Sequence, residues 1–322
     1  PRYNLESRGI GTGYEEHQGL KEYYLNALPT LVEEMYLSAK KDLKTARVYH
    51  ANTKVMSVGS ERHDSSEGNA PFMDLLAFFE VDGHRSLPFL IMAAYACHPT
   101  VLGADNLRYS PDFVGHFRDE LKGAFKSSPT VVFINGAAGD ISTRFTRQEQ
   151  SDAEGFRLGS LLADQAYRAL ESSRPVCPTP IIYKQEDIAL ETRDFPDVST
   201  ADLLVEQAWT AYEEAVGEDA EGAILRRLLT AWQGASITAG YSRRGLADFI
   251  SSKVQGIRVG EVAFLGVPGE LYSSGDYLIK QKMRPNRNTI VVCGFANDYM
   301  GYFVDDGGEG QEYESLATPF RP

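Results

Sequence analysis

A chain of 322 residues with 43% apolar content can bury a sizeable core, and its 45 Asp plus Glu outnumber 32 Lys plus Arg for a net charge of -13. A field of that sign repels phosphate backbones and anionic lipid surfaces, which excludes nucleic acid as a natural partner. The longest apolar run, Leu87 to Cys97, contains Pro88 and falls well short of the roughly 20 residues a membrane-spanning helix needs.

Taken in chain order, Leu20, Tyr24, Leu28, Leu31, Val32, Met35 and Ala39 recur at helical spacing, so the pattern predicts a helix over 19–44 around Pro29. Strands follow at Thr45–Val58, Phe72–Val81 and Leu87–Cys97, the last two joined by an Asp82-Gly83 turn. Ser110-Pro111-Asp112 opens a helix to about Phe125, Thr130–Asn135 reads as a buried strand, and Ser151-Asp152-Ala153-Glu154 is a capping box for a helix reaching Glu171. A strand is expected over 180–192 and two helices over 200–233, joined at Gly217-Glu218-Asp219; 195–240 is a candidate helical insertion or lid. Val254–Val259 and Val262–Val267 flank the two-residue loop Gly260-Glu261, and Pro268-Gly269-Glu270 is expected to begin a helix to about Met283. Thr289–Phe295 is the last buried strand, and the Gly- and acid-rich tail from Val304 reads as loop. The alternation predicts an α/β fold, a layered mixed sheet with flanking helices, forming a single catalytic domain over 1–322.

Among six histidines, His98 stands apart because it ends the most apolar strand and precedes Pro99, which turns the backbone out of the ladder beside a loop. Three further segments also follow apolar strands: Asn135 to Ser142, rich in small residues; Val267-Pro268-Gly269-Glu270; and Asn297-Asp298-Tyr299-Met300-Gly301-Tyr302. Each alone has an ordinary structural explanation as packing, cap or tight turn. Together they favour one site, because ligands in open α/β sheets bind outside the carboxyl ends of strands. Cys97, Cys177 and Cys293 form no CxxC pair, so neither a disulfide framework nor a thiolate metal site is suggested, and no Lys-Ser/Thr pair makes the 135–142 turn a phosphate loop.

The ordered set His98-Pro99-Thr100, Ser110-Pro111-Asp112, Gly139-Asp140-Ile141-Ser142, Pro268-Gly269-Glu270, Asn297-Asp298-Tyr299-Met300-Gly301-Tyr302 and Gln311-Glu312-Tyr313-Glu314 resembles the catalytic domain of neutral/alkaline non-lysosomal ceramidases, over about residues 20–315. The resemblance implies a hydrolase that cleaves an N-acyl amide, ceramide or a ceramide-like lipid, with a zinc ion (Zn2+) held by His98, Glu270 and Tyr302. It implies Tyr313 as the residue that stabilises the oxyanion and Ser142 as an active-site serine, either nucleophile or polar contact. Arg62 matches a substrate-contacting arginine, although Gly59-Ser60-Glu61-Arg62-His63 departs from the family's Asn-Arg pattern.

No His-x-His occurs in the 322 residues, whereas the family carries His-x-His-Ser-Gly upstream as a further zinc ligand and general base. The resemblance therefore implies that an N-terminal stretch and a C-terminal immunoglobulin-like domain lie outside this chain. A serine-nucleophile mechanism, an amidase acting on a non-sphingolipid N-acyl substrate and a non-catalytic ligand-binding protein remain open beside the zinc mechanism. The start Pro1-Arg2-Tyr3-Asn4 carries no signal-peptide pattern, which favours a cytoplasmic expectation, and the oligomeric state is left open.

Overall fold

The computed structural model describes residues 18–62, 71–81, 87–103, 105–177, 179–283, 289–305 and 313–321. The elements in chain order are α1 (Gln18–Lys41), β1 (Ala46–Lys54), β2 (Ser60–Glu61), β3 (Phe72–Glu80), β4 (Leu90–Tyr95), α2 (Asp112–Gly123), β5 (Thr130–Asn135), β6 (Ile141–Ser142), α3 (Asp152–Glu171), β7 (Arg174–Pro175) and β8 (Ile182–Glu191). They continue with α4 (Val198–Gly217), α5 (Gly222–Arg244), β9 (Phe249–Val259), β10 (Val262–Gly266), β11 (Glu270–Leu271), α6 (Ser273–Met283), β12 (Thr289–Cys293), β13 (Tyr302–Phe303) and α7 (Tyr313–Ala317).

Two mixed sheets carry the architecture. The first has the order β5-β4-β3-β1-β7, with β4 and β5 parallel and the other pairs antiparallel. The second has the order β12-β10-β9-β8, with only β10 and β12 parallel. Because successive strand side chains point to opposite faces, each central strand serves two cores. Met73, Leu75 and Ala77 of β3 and Ile91, Ala93 and Tyr95 of β4 face α2 and α3, where they meet Phe113, Phe117, Leu158 and Leu162. The alternate residues Leu76, Phe78, Met92 and Ala94 face the second sheet and meet Val262, Phe264, Val291 and Cys293. The far side of that sheet, through Ala263, Leu265, Ile290 and Val292, packs on Ile279 of α6. The layers are thus helices, sheet, sheet, helix, an α/β arrangement of the expected class with two stacked sheets rather than one.

The strand ends are set by local geometry. β1 stops at Lys54 rather than Val58, and Ser57 takes a positive φ of 63°. The α3 start has the serine half of its capping box, since the Ser151 hydroxyl accepts from the Glu154 N–H at 3.1 Å, while the Glu154 carboxylate accepts from the Gln148 N–H at 2.8 Å and pairs with Arg157. The helical pair is longer than expected, with α5 running to Arg244, and α4 and α5 are pinned together by Trp209 and Trp232 with ring centroids 4.9 Å apart. A short helix, α7, lies in the tail expected to be loop. The Asp82-Gly83 turn lies outside the described residues.

Glu270 corrects one local expectation: it does not begin a helix but sits in β11. Its N–H donates to the Gly301 carbonyl at 2.9 Å and the Tyr272 N–H to that of Phe303 at 3.1 Å, which pairs β11 in parallel with β13. The helix starts at Ser273, where the buried Asp140 carboxylate accepts from the Ser273 N–H at 2.8 Å and its hydroxyl at 2.6 Å. Asp140 therefore takes the helix-start role, and the Glu270 carboxylate is left for other partners. No described helix is long and apolar enough to cross a membrane.

Candidate active site

The site forms where the ends of β4, β5 and β10 meet the β11–β13 pair. After β4 the chain reaches His98, which bridges Ser142 of β6, and its N–H donates to the Ile141 carbonyl at 3.0 Å. The turn between β5 and β6 is drawn tight against β11, with the Gly139 N–H on the Leu271 carbonyl at 2.9 Å. A side chain at Gly139 would place its Cβ 2.8 Å from the Glu270 carbonyl oxygen, so the small residue here is a condition of that close approach.

Around the Glu270 carboxylate three side chains converge. His98 Nε2 lies 2.7 Å from Oε2, the Tyr299 hydroxyl donates to Oε1, and the Tyr302 hydroxyl bonds the same carboxylate. His98 Nδ1 lies 3.1 Å from the Ile141 carbonyl oxygen, which can only accept. That contact puts a proton on Nδ1 and turns Nε2 toward Glu270, where the bond to the carboxylate takes a second proton on the ring; the Ile141 carbonyl is the kind of second-shell partner by which proteins orient a ligating imidazole. Burial pushes the Glu270 carboxyl up, but hydrogen bonds from His98 and Tyr299, the charge of His98 and the bond from Tyr302 more than offset it and leave the group below its usual range. Tyr302 moves far the other way, because burial and the neighbouring Glu270 charge both disfavour a phenolate. Unassisted, Tyr302 is a neutral donor.

A second layer supports Tyr302. The Arg62 guanidinium pairs with the buried Glu314 carboxylate and also bonds the Tyr302 hydroxyl, while the Arg62 N–H donates to the Asp140 carbonyl at 2.8 Å. Burial lowers the Arg62 pKa, yet the charge of Glu314 and the bonds to Glu314 and Tyr302 outweigh it and hold the group above its ordinary value. Tyr313, the neighbour of Glu314 in α7, meets Tyr302 edge to face with ring centroids 6.0 Å apart. α7 is in turn held by α5: the Tyr241 hydroxyl donates to the Ala317 carbonyl at 3.0 Å, and a Cβ at Gly234 would meet Leu316. The 195–240 segment thus buttresses the helix that carries Tyr313.

All six residues singled out in the sequence therefore lie in one connected network. Ser142 is buried within it, and its Oγ accepts from the Arg144 N–H at 3.3 Å. Sequence reasoning missed Tyr299 as a Glu270 partner and Glu314 as the counterion of Arg62. The first had a signal: Tyr299 and Tyr302 flank Gly301, whose φ of 92° turns the chain, so that both hydroxyls reach one carboxylate. Gln311 and Glu312 lie outside the described residues.

Two solved structures that resemble this chain are ceramidases. A neutral ceramidase from Pseudomonas aeruginosa superposes with a TM-score of 0.63 at 15% identity, over 86% of this chain and 49% of its own. A structure described as a ceramidase complexed with C2 gives 0.60, again at 15% identity, over 86% of this chain and 51% of its own. The fold is ceramidase-like. This chain spans about half the length of the structures it matches. No protein-family model and no curated protein matches the chain.

The donor set also bears on metal chemistry. One imidazole nitrogen, one carboxylate and one phenol are the N and O ligands that suit zinc, and His98 is oriented as a ligating histidine is. Among the described residues no cluster of three or more His, Cys, Asp and Glu could hold a metal, so His98 and Glu270 need the phenol of Tyr302 or a donor from elsewhere.

Proposed function

We propose that this chain carries the reaction centre of a zinc-dependent amide hydrolase that cleaves an N-acyl amide of the ceramide type. The observation that carries the reading is the convergence of His98, Tyr299 and Tyr302 on the buried Glu270 carboxylate, at the strand ends of a ceramidase-like fold. His98, Glu270 and Tyr302 would hold the metal. Zinc, when bound, supplies a Lewis acid that polarises the scissile carbonyl and acidifies water.

The chain's own residues have separable tasks. Ile141 fixes the ring of His98 through its carbonyl, so Nε2 stays directed at the site. Tyr299 holds one oxygen of Glu270 and leaves the other to His98, which fixes the plane of the carboxylate. The Arg62–Glu314 pair ties α7 to β2 and so supports the ring contact of Tyr313 with Tyr302; in the proposed mechanism the Tyr313 hydroxyl would donate to a tetrahedral oxyanion. Both nitrogens of His98 face Ile141 and Glu270, and neither is offered to Ser142. This supports Ser142 as a polar contact over Ser142 as nucleophile, since among the described residues its Oγ bonds the Arg144 N–H and not a base.

Tyr313→Phe removes one oxyanion donor while keeping the ring against Tyr302. In the complete protein it is expected to lower kcat on an N-acyl amide by about 10²–10³-fold with little change in KM, as loss of a single oxyanion-hole donor does. Steady-state kinetics of fatty-acid release checks this. An unchanged kcat would remove Tyr313 from the mechanism.

A further inference from the structure

The centre is polar, whereas a ceramide-type amide carries alkyl chain on both sides of its scissile bond. Apolar surface next to the centre therefore decides which amides it accepts. The loop between β12 and β13 supplies such surface. Backbone bonds clamp it to the neighbouring turns: the Gly294 N–H donates to the Asn135 carbonyl at 2.9 Å, that of Phe295 to Gly269 at 3.0 Å, that of Ala296 to Val267 at 2.9 Å and that of Met300 to Pro268 at 2.8 Å.

Within this loop Phe295 takes a φ of 57° and Asn297 a φ of 70°. Asparagine tolerates the left-handed region, but a bulky aromatic residue there is strained, and strain of this kind gathers at ligand-binding sites. The strain does not serve to bury the ring. Phe295 is 43% exposed and belongs to none of the apolar clusters of the described residues. Its ring lies parallel to that of Tyr299, with an interplanar angle of 4° and centroids 5.6 Å apart. Tyr299 is the residue whose hydroxyl donates to Glu270. Phe295 thus holds open apolar surface one tyrosine side chain away from the Glu270 carboxylate.

We infer that Phe295 is a specificity-determining residue: its exposed ring is the surface on which an alkyl chain of the substrate lies as it leaves the scissile amide. The inference rests on the amide-hydrolase reading and gives that centre its apolar contact. Burying one methylene is worth about fourfold in affinity, so partial cover of a few methylenes by one ring is worth about tenfold. A ring that only steadied Tyr299 would act on every amide alike, through kcat. A ring that seats a chain acts through KM, and only on amides that carry the chain.

The test uses three amides dispersed in non-ionic detergent: N-decanoyl sphingosine, N-acetyl sphingosine and N-decanoyl ethanolamine. They shorten the acyl side and the amine side in turn. For the complete wild-type protein, kcat/KM on N-decanoyl sphingosine is expected to exceed that on at least one of the others by about tenfold, through KM. A deficit with the acetyl amide puts the acyl chain on the ring, and a deficit with the ethanolamide puts the sphingoid chain there. Phe295→Asn suits the left-handed backbone but offers no ring, and should bring that ratio to within about threefold of unity. Phe295→Leu, apolar without the stack, should keep more of it. A wild type without chain preference, an unchanged ratio in Phe295→Asn, or an equal fall in kcat on all three amides with the ratio intact would overturn the inference and leave the hydrolase reading standing. If none is cleaved, the hydrolase reading fails, and calorimetric binding of the same amides decides the role of Phe295. Tighter binding of N-decanoyl sphingosine than of a shortened amide, lost in Phe295→Asn, upholds it, and equal binding of all three or a difference that survives in Phe295→Asn overturns it.

Discussion

Glu270→Ala is expected to abolish zinc binding in the complete protein and to lower kcat/KM on an N-acyl amide by about 10³-fold or more. The carboxylate is the hub of the centre: His98, Tyr299 and Tyr302 all bond to it, and it is buried. Lewis-acid activation of a carbonyl contributes several kcal/mol to the transition state, and each 1.36 kcal/mol is tenfold in rate, which sets the scale of the loss. Glu270→Gln keeps the volume and one acceptor but removes the charge. It is expected to fold better than the alanine variant and to be nearly as inactive. His98→Ala should match Glu270→Ala in metal content and rate. Metal analysis beside single-turnover kinetics checks both. Zinc bound at wild-type stoichiometry in either alanine variant would contradict the ligand assignment.

The second large effect is on stability. Glu314→Gln leaves the Arg62 guanidinium charged in a site where its side chain is 14% exposed and Glu314 was its carboxylate partner. Breaking a buried ion pair from one side costs about 3–5 kcal/mol, because the remaining charge keeps its desolvation penalty and loses its compensation. Urea unfolding should show that loss at an unchanged slope. The double variant Arg62→Met, Glu314→Leu removes both charges and is expected to recover most of it. A fully stable Glu314→Gln would mean that water already solvates Arg62.

The sheets were legible because their signal is local. Apolar residues on both faces of 72–80 and 90–95 announce strands buried on two sides, and the structure places their odd and even residues in different cores. Glu270 shows where that legibility ends. A proline, a glycine and an acid before an apolar stretch fit a helix start, but the β11–β13 pairing is fixed by backbone bonds to Gly301 and Phe303, far along the chain. No periodicity encodes a two-residue strand. The same limit hid Glu314, whose partner Arg62 is distant in sequence, and α7, which is short and rests on α5. His98 was legible because it closes an apolar run just before Pro99, although β4 itself already stops at Tyr95, yet what distinguishes it from a packed histidine is the Ile141 carbonyl at one nitrogen and Glu270 at the other. Both contacts are long-range.

On the proposed reading, His98, Glu270 and Tyr302 hold a zinc ion that this centre uses to cleave an N-acyl amide. Its most direct test is to strip the complete protein of metal with a chelator and follow fatty-acid release as zinc is returned. No release is expected from the stripped protein, with recovery that saturates at one zinc per chain. Release that survives complete removal of metal would contradict it.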